Sequence, residues 1–504
     1  MTGQYLTAGL SGVSSQACVA LAAGPGRIAV CEQERVTRIR RAGSNSTGLP
    51  DEALDLLLDR FGCTRGDVAR YAMAEAGGEM IDGRTVERLD HHLAHACTSY
   101  LSSPFTSAAI VVCDQESPKV TVWKGSGGDV TRVDWPWLGP GFTDLYSACA
   151  AVMGFASSAG EQRLEALARL EPDHRDARVT ALFRGDGCSL GTEPGWESLV
   201  ESWVTDARTR GGAVACAGLA AALQSRIAEL FSNLLGMVRR HTGEEHLCLA
   251  GSLFYNSSIN TAAKQAGFFT KVFIPVDPGN PGLALGTALH SSRRDPEPLS
   301  PFLGPAYEAR EIKATLDNCK LRYDWKSDDG VIDFAVAALR RGTLVAWYEG
   351  AMEWGPRALG ARSILASPFS PYVLENLNGF LKRRESWRGY ALSALEGAVS
   401  EHFAGPGAAP FMESDYRPRD PATFRHVLPA GNGAVRVHSV DRRSPPRFTR
   451  LLEAFGAATG IPCLVNTSFN GFHEPIVCSP RDAVRVFYGS GVDALVLDQF
   501  VLSK

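Results

Sequence analysis

Three short apolar segments separated by turns open this chain, and they constrain its fold more than any other feature. Residues 5–10, 17–21 and 27–31 read as strands, with Gly, Ser and Pro in the turns between them. Asp51 to Phe61 follows with helical spacing, and Asp51 and Glu52 place negative charge at its N-terminus. Residues 107–112 and 119–123 repeat the strand pattern, and 246–250 form another apolar strand. An α/β fold is expected. At 504 residues the chain is too long for one core, so at least two domains are expected.

Composition narrows the function classes. Net charge is −4 and the pI about 6.3, which leaves no bulk electrostatic case for nucleic acid. Basic runs such as Arg38 to Arg41 are too short to change that. No stretch reads as a bilayer span, and Met1 to Tyr5 lacks a signal-peptide pattern, so a cytoplasmic protein without a membrane partner is expected. The 12 cysteines are scattered without a C-x-x-C pair, and read as small buried hydrophobes. Ala213 to His241 reads as one long amphipathic core helix.

Chemistry concentrates in three places. Glu353-Trp354-Gly355-Pro356-Arg357-Ala358-Leu359-Gly360-Ala361-Arg362-Ser363 joins a forced turn to two guanidinium groups and a hydroxyl. Arg357 and Arg362 are planar forks suited to phosphate or carboxylate. The plain alternative is a pair of arginines in a surface ion-pair network. Lys382-Arg383-Arg384-Glu385 and Asn466-Thr467-Ser468-Phe469-Asn470 add cations, a hydroxyl and amides. Such groups suit a small dianion bearing a carbonyl.

The third place is Asp90-His91-His92-Leu93-Ala94-His95. His91 and His95 are four apart, which on a helix puts both imidazoles on one face. Asp114 ends a following strand. His91, His95 and Asp114 together make a candidate divalent-metal set. The plain alternative is a group of capping or solvent-facing histidines.

These motifs resemble those of the NodU/CmcH-type O-carbamoyltransferases. The run from Glu353 looks like their M-E-[FW]-G-P-R-A-L-G-x-R-S-I-L signature. Lys382 to Glu385 matches K-x-R-E, Asn466 to Asn470 matches N-T-S-F-N, and Arg436 matches an arginine of [AV]-R-x-Q-x-V. The β-β-β-α start is similar to the ribonuclease-H-like halves of the actin/hexokinase superfamily. The resemblance implies an actin/hexokinase-like domain over residues 1–295 and a YrdC-like domain over 305–504. A Pro-rich polar stretch near 290–305 marks the boundary.

The resemblance implies an ATP-dependent enzyme that moves a carbamoyl group from carbamoyl phosphate, through carbamoyl adenylate, to a hydroxyl of a small secondary metabolite. Antibiotic-tailoring enzymes are among its members. Catalysis is assigned to His91, His95, Arg357 and Lys382. Carbamoyl phosphate and nucleotide binding is assigned to Arg357, Arg362, Ser363, Lys382, Arg384, Arg436, Asn466, Ser468 and Asn470. The metal, Fe2+ by resemblance, falls to His91, His95, Asp114 and Asn280, and ATP comes with Mg2+. Partners are carbamoyl phosphate and a small acceptor, with a homodimer as an open expectation.

Departures from the pattern cluster in the first domain. Asn280 stands where an aspartate is expected, and Ser14-Ser15 replaces a His-Asp pair. Gln115 and Ser252 replace glycines, and Glu165 falls in Glu161 to Ala168 where E-G-K-x-M-G-L-A is usual. In the second domain, His438 replaces a glutamine, Ala351 an arginine and His473 a glycine. Residues 430–433 lack an H-x-D-G-T run. Transfer to an amine, another acyl donor and a non-catalytic binding role are the rival readings, together with tRNA modification, which the acidic charge disfavours.

Overall fold

A computed structural model describes residues 6–24, 26–75, 78–156, 159–428 and 433–504. Tyr5 of the first expected strand and residues 430–432 of the H-x-D-G-T comparison lie outside the described residues.

The first sheet contains β1 (Leu6–Ser11), β2 (Cys18–Ala22), β3 (Ile28–Glu32), β4 (Val68–Met73), β5 (Met80–Ile81) and β6 (Arg84–Arg88) in the order β3-β2-β1-β4-β6-β5. β1 is antiparallel to β2 and parallel to β4, which is parallel to β6. The second sheet contains β7 (Ser107–Cys113), β8 (Val120–Ser126) and β9 (Asp129–Arg132). A ribbon, β10 (Phe183–Gly185) and β11 (Leu190–Thr192), intervenes before β12 (His246–Ala250) and β13 (Lys271–Phe273). The second sheet's order, β13-β12-β7-β8-β9, repeats the first, with an antiparallel meander followed by parallel additions. Two ribonuclease-H-like halves in tandem give the actin/hexokinase-like domain.

The helices expected at 51–61, at His91–His95 and over 213–241 are present, the last beginning as a 3-10 turn over Ala213–Cys216, and others join them. They are α1 (Gln33–Thr37), α2 (Asp51–Phe61), α3 (His91–Leu101), α4 (Phe142–Val152), α5 (Gly160–Ala168), α6 (Ala177–Leu182), α7 (Trp196–Gly211), α8 (Ala217–Thr242), α9 (Ser257–Gln265) and α10 (Gly282–Ser291). α3 leaves the first sheet and packs on the second, whereas α10 leaves the second and packs on the first. The two helices meet between the sheets. α10 is therefore buried on all sides, from Leu283 to Leu289. Gly286 sits against the Ala94 carbonyl, where a Cβ would lie 2.1 Å from that oxygen. Residues 213–242 are long and apolar enough by composition to cross a membrane, unlike the sequence expectation; 61% of the apolar window is buried in the core. Cys18, Cys31, Cys113, Cys248 and Cys463 are free and buried, as their apolar neighbours predict.

The remaining strands form a ten-stranded mixed sheet. They are β14 (Asp324–Trp325), β15 (Val345–Tyr348), β16 (Arg362–Ala366), β17 (Ala391–Leu395), β18 (Phe403–Ala404), β19 (Asp415–Pro418), β20 (Val435–Val440), β21 (Cys463–Ser468), β22 (Ala494–Leu497) and β23 (Phe500–Ser503). Their order is β14-β23-β22-β15-β16-β21-β17-β20-β19-β18. A buried ion pair docks this sheet's leading loop on the first domain. Arg35 donates to the Gly355 carbonyl at 2.7 Å, and the Gly355 N–H donates to Glu32 at 2.7 Å.

Candidate active site

The histidine cluster is built by the start of α3 and the ends of two strands. Asp90 caps α3 by accepting from the Leu93 N–H at 2.9 Å. That cap starts the helix so that His91 and His95 share a face. Their ring centroids lie 4.8 Å apart, edge to face. Asp114, at the end of β7, accepts from the Ser252 and Gln115 N–H groups at 3.1 and 2.5 Å. Ser252 thus supplies through its backbone what a glycine would supply. Gly251 before it has φ +103, and a Cβ there would lie 2.0 Å from the Cys113 carbonyl oxygen.

One ligand atom from each of His91, His95 and Asp114 falls within 4.8 Å of the others. His95 Nε2 is 3.1 Å from Asp114 Oδ2, yet the angles do not make a hydrogen bond. The His91 Nε2, both His95 ring nitrogens and Asn280 Oδ1 are buried without hydrogen-bond partners. Orphaned donors and acceptors of this kind fit a cation. Burial raises the Asp114 carboxyl, but His95 and the two N–H groups outweigh it and hold it well below the usual range. Burial, then His95, lowers His91, with Asp114, Glu116 and Glu75 opposing. Glu75 itself accepts from the consecutive Gly12 and Val13 N–H groups at 3.0 and 2.8 Å.

The second cluster lies on one face of the large sheet. Side chains alternate along strands, so Arg436 and His438 share a face of β20, and Asn466 and Ser468 share one of β21. Contacts join them: His438 Nδ1 is 3.0 Å from Ser393 Oγ, which accepts from Asn466 Nδ2 at 2.9 Å. Asn466 also donates to the Ala358 carbonyl, and its Oδ1 is buried without a partner. Burial pushes His438 down to about 3, so it is neutral.

Lys382 Nζ donates to the Ser468 carbonyl at 2.7 Å and to Asn470 Oδ1 at 2.5 Å. Burial, then Arg384, pushes this ammonium down to about 7. Arg384 donates to Asn378 Oδ1 at 2.8 Å and lies over the Tyr390 ring at 4.0 Å. Arg357 stands apart from Lys382, beside Arg436. Its hydrogen bond to the Tyr255 carbonyl is long, at 3.5 Å.

The chain shares features with known proteins at three levels. The family description "Carbamoyltransferase C-terminus" matches residues 336–504. An uncharacterised protein of Synechocystis is 31% identical over 82% of this chain and 76% of its own. Nodulation protein NolNO of Sinorhizobium fredii is 27% identical over 95% and 77%, and nodulation protein NolO of Bradyrhizobium diazoefficiens is 33% identical over 57% and 54%. The chain belongs to the NodU-type carbamoyltransferase family. A structure of full-length HypF in the phosphate- and nucleotide-bound form is 13% identical, covers 58% of this chain and 46% of its own, and has a TM-score of 0.40.

Two residues of this carbamoyltransferase sit differently from expectation. Arg362 is fully buried and lies 3.5 Å over the Tyr348 ring. It donates to the carbonyls of Glu349, Ala361 and Gly350. Its two terminal nitrogens are spent on the backbone while its Nε is buried without a partner, because β16 carries it into the core. Ser363 is also buried, and its Oγ accepts from the Gly360 N–H at 3.1 Å. Both shape the loop instead of facing a ligand. Glu353 does the same: its Oε1 accepts from the N–H groups of Leu359, Ala361 and Arg362. Sequence reasoning also missed Glu165, Arg169 and Ser257, which approach Arg436 from the other domain, and Asp415, which pairs with it from β19.

Proposed function

We propose that this carbamoyltransferase is an ATP-dependent O-carbamoyltransferase of the cytoplasm, acting on a small metabolite, with its domain boundary at residues 295–305. Carbamoyl phosphate binds on the sheet face beside Lys382, Arg384 and Ser468, in a domain of YrdC-like kind. Lys382 neutralises the phosphate. Asn466 Oδ1, an unpartnered buried acceptor, takes an N–H of the carbamoyl group.

Water attacks carbamoyl phosphate, the carbamoyl–phosphate linkage breaks and inorganic phosphate leaves, giving carbamate, whose oxygen attacks the α-phosphorus of ATP. The bond to the β-phosphate oxygen breaks and pyrophosphate leaves. The acceptor hydroxyl then attacks the carbamoyl carbon, and AMP departs. His91, His95 and Asp114 would hold a divalent metal, with the Asn280 oxygen as a neutral fourth ligand. When bound, that metal supplies Lewis acidity toward a carbonyl oxygen. The protein's own side chains exclude water around the labile carbamoyl group.

One observation carries this reading: a continuous run of contacts links the two clusters. Lys382 touches Ser468, Asn466 on the same strand bonds the Ala358 carbonyl, and neighbouring Arg357 reaches the Tyr255 carbonyl. Tyr255 ends the turn Ser252–Tyr255, whose first N–H holds Asp114. Carbamoyl phosphate labelled in its carbonyl carbon tests the proposal. The label should appear in a hydroxyl-bearing acceptor only when ATP is present. Label transfer without ATP would refute the adenylate route. A second reading, transfer to an amine, is favoured by Asn280, a weaker ligand than aspartate; product analysis with paired alcohol and amine acceptors separates the two.

A further inference from the structure

Where α5 and α9 meet β19 and β20, three half-buried arginines surround two buried carboxylates. Arg436 Nη2 donates to Glu165 Oε2 at 2.6 Å, and Arg436 Nε donates to Ser257 Oγ at 2.8 Å. Arg169 bridges Glu165 and Asp415, the latter at 3.1 Å. Arg357 completes the group, and burial, then Arg436, pushes its guanidinium down to about 9. Three guanidinium groups face two carboxylates, so the cluster holds one excess positive charge.

Acceptors in the cluster compete for donors. Ser257 Oγ lies 2.8 Å from Glu165 and 2.6 Å from Asp415, but a hydroxyl has one proton and can satisfy only one of them. Among the described residues, Arg357 makes one hydrogen bond, the long one to the Tyr255 carbonyl. Arg169, Asp415 and Ser258 also line a cleft of about 840 Å³ between the domains, which gives small solutes a route to the edge of the cluster.

We infer that Glu165 is a resident carboxylate held by Arg436 in an anion site that Arg357 flanks, and that a phosphate-bearing ligand binds there by displacing it. This rests on the proposed carbamoyl transfer and on the assignment, implied by the family resemblance, of Arg357 and Arg436 to the carbamoyl phosphate- and nucleotide-binding set. A phosphoryl group, like a carboxylate, presents anionic oxygens to a guanidinium N–H, so the two compete for the Arg436 Nη2 that Glu165 now holds. Glu165 belongs to the first domain and Arg436 to the second. Exchange therefore replaces a cross-domain ion pair with a ligand contact, and the returning carboxylate helps to expel the product anion.

The test is calorimetric titration of the full chain with inorganic phosphate and with pyrophosphate. Glu165→Gln should bind one of them at least about tenfold more tightly than the parent, within the usual range of coupling between sites. A larger gain for phosphate assigns the site to the donor; a larger gain for pyrophosphate assigns it to the nucleotide. Arg436→Gln added to Glu165→Gln should remove the gain. Because Glu165→Gln leaves buried guanidinium groups less compensated, the charge-balanced Glu165→Gln/Arg169→Gln pair provides the same comparison if the single variant does not fold. If the parent binds carbamoyl phosphate while neither Glu165 variant gains affinity, Glu165 is a structural ion-pair partner only and the inference fails. If the parent binds neither carbamoyl phosphate nor either probe, and the folded variants do not either, the donor-site proposal fails with it.

Discussion

The Nε2 of His95 and the Oδ2 of Asp114 lie 3.1 Å apart without forming a hydrogen bond. Two strong polar atoms held that close in the protein interior need a shared partner or a cost is left standing. A divalent cation satisfies both, together with His91. Metal content after dialysis, read by elemental analysis, should be about one per chain for the parent. His91→Ala and His95→Ala should each lose most of it, and Asn280→Asp should retain it against stronger chelators. Unchanged retention in Asn280→Asp would remove that position from the ligand set.

Lys382 gives the donor site a pH signature. Burial and Arg384 push its ammonium down to about 7, and only the protonated form attracts a phosphate. Affinity for carbamoyl phosphate should therefore fall by roughly tenfold per pH unit above about 7. Lys382→Ala should abolish both turnover and this decline. A parent affinity flat from pH 7 to 9 would show that Lys382 does not contact the anion.

Asp277 makes a prediction about stability. It is buried, and burial raises its carboxyl to about 6, although the Tyr255 hydroxyl opposes this from 2.5 Å. The unfolded value is about 3.9. The folded state thus favours the protonated form, and the stability this lends is complete below about pH 4 and lost as pH rises through 6. Asp277→Asn should raise stability at pH 8 by about 1–3 kcal/mol and by much less at pH 5. Denaturant unfolding at the two pH values measures the difference.

Glu32 and Arg35 tie the first domain to the Gly355 turn. Removing one partner of such a buried pair leaves an uncompensated charge, at a cost of about 3–5 kcal/mol. Glu32→Gln should lower the thermal midpoint and, by loosening the turn before Arg357, reduce turnover. An unchanged midpoint would mean the pair does not hold the domains together.

Much of the fold was legible because local pattern carries it. Asp51 to Phe61 and residues 246–250 form the helix and strand that their apolar spacing predicts. His91, His95 and Asp114 were found because helical spacing and a strand end place them without knowledge of distant contacts. Arg362 shows the limit: its residue type suits an anion, but strand register turns it inward. The Glu165 cluster was invisible for another reason. Its partners lie as far as 271 positions apart, and no periodicity in the chain relates α5 to β20.

The central claim is adenylate chemistry driven by a carbamoyl donor. Purified protein loaded with a divalent metal should be incubated with carbamoyl phosphate and ATP, without acceptor, while phosphate, pyrophosphate and AMP are followed. The account predicts release of pyrophosphate and AMP that depends on carbamoyl phosphate and disappears in Lys382→Ala. Release of phosphate alone, or no turnover by the folded and loaded protein, would contradict it.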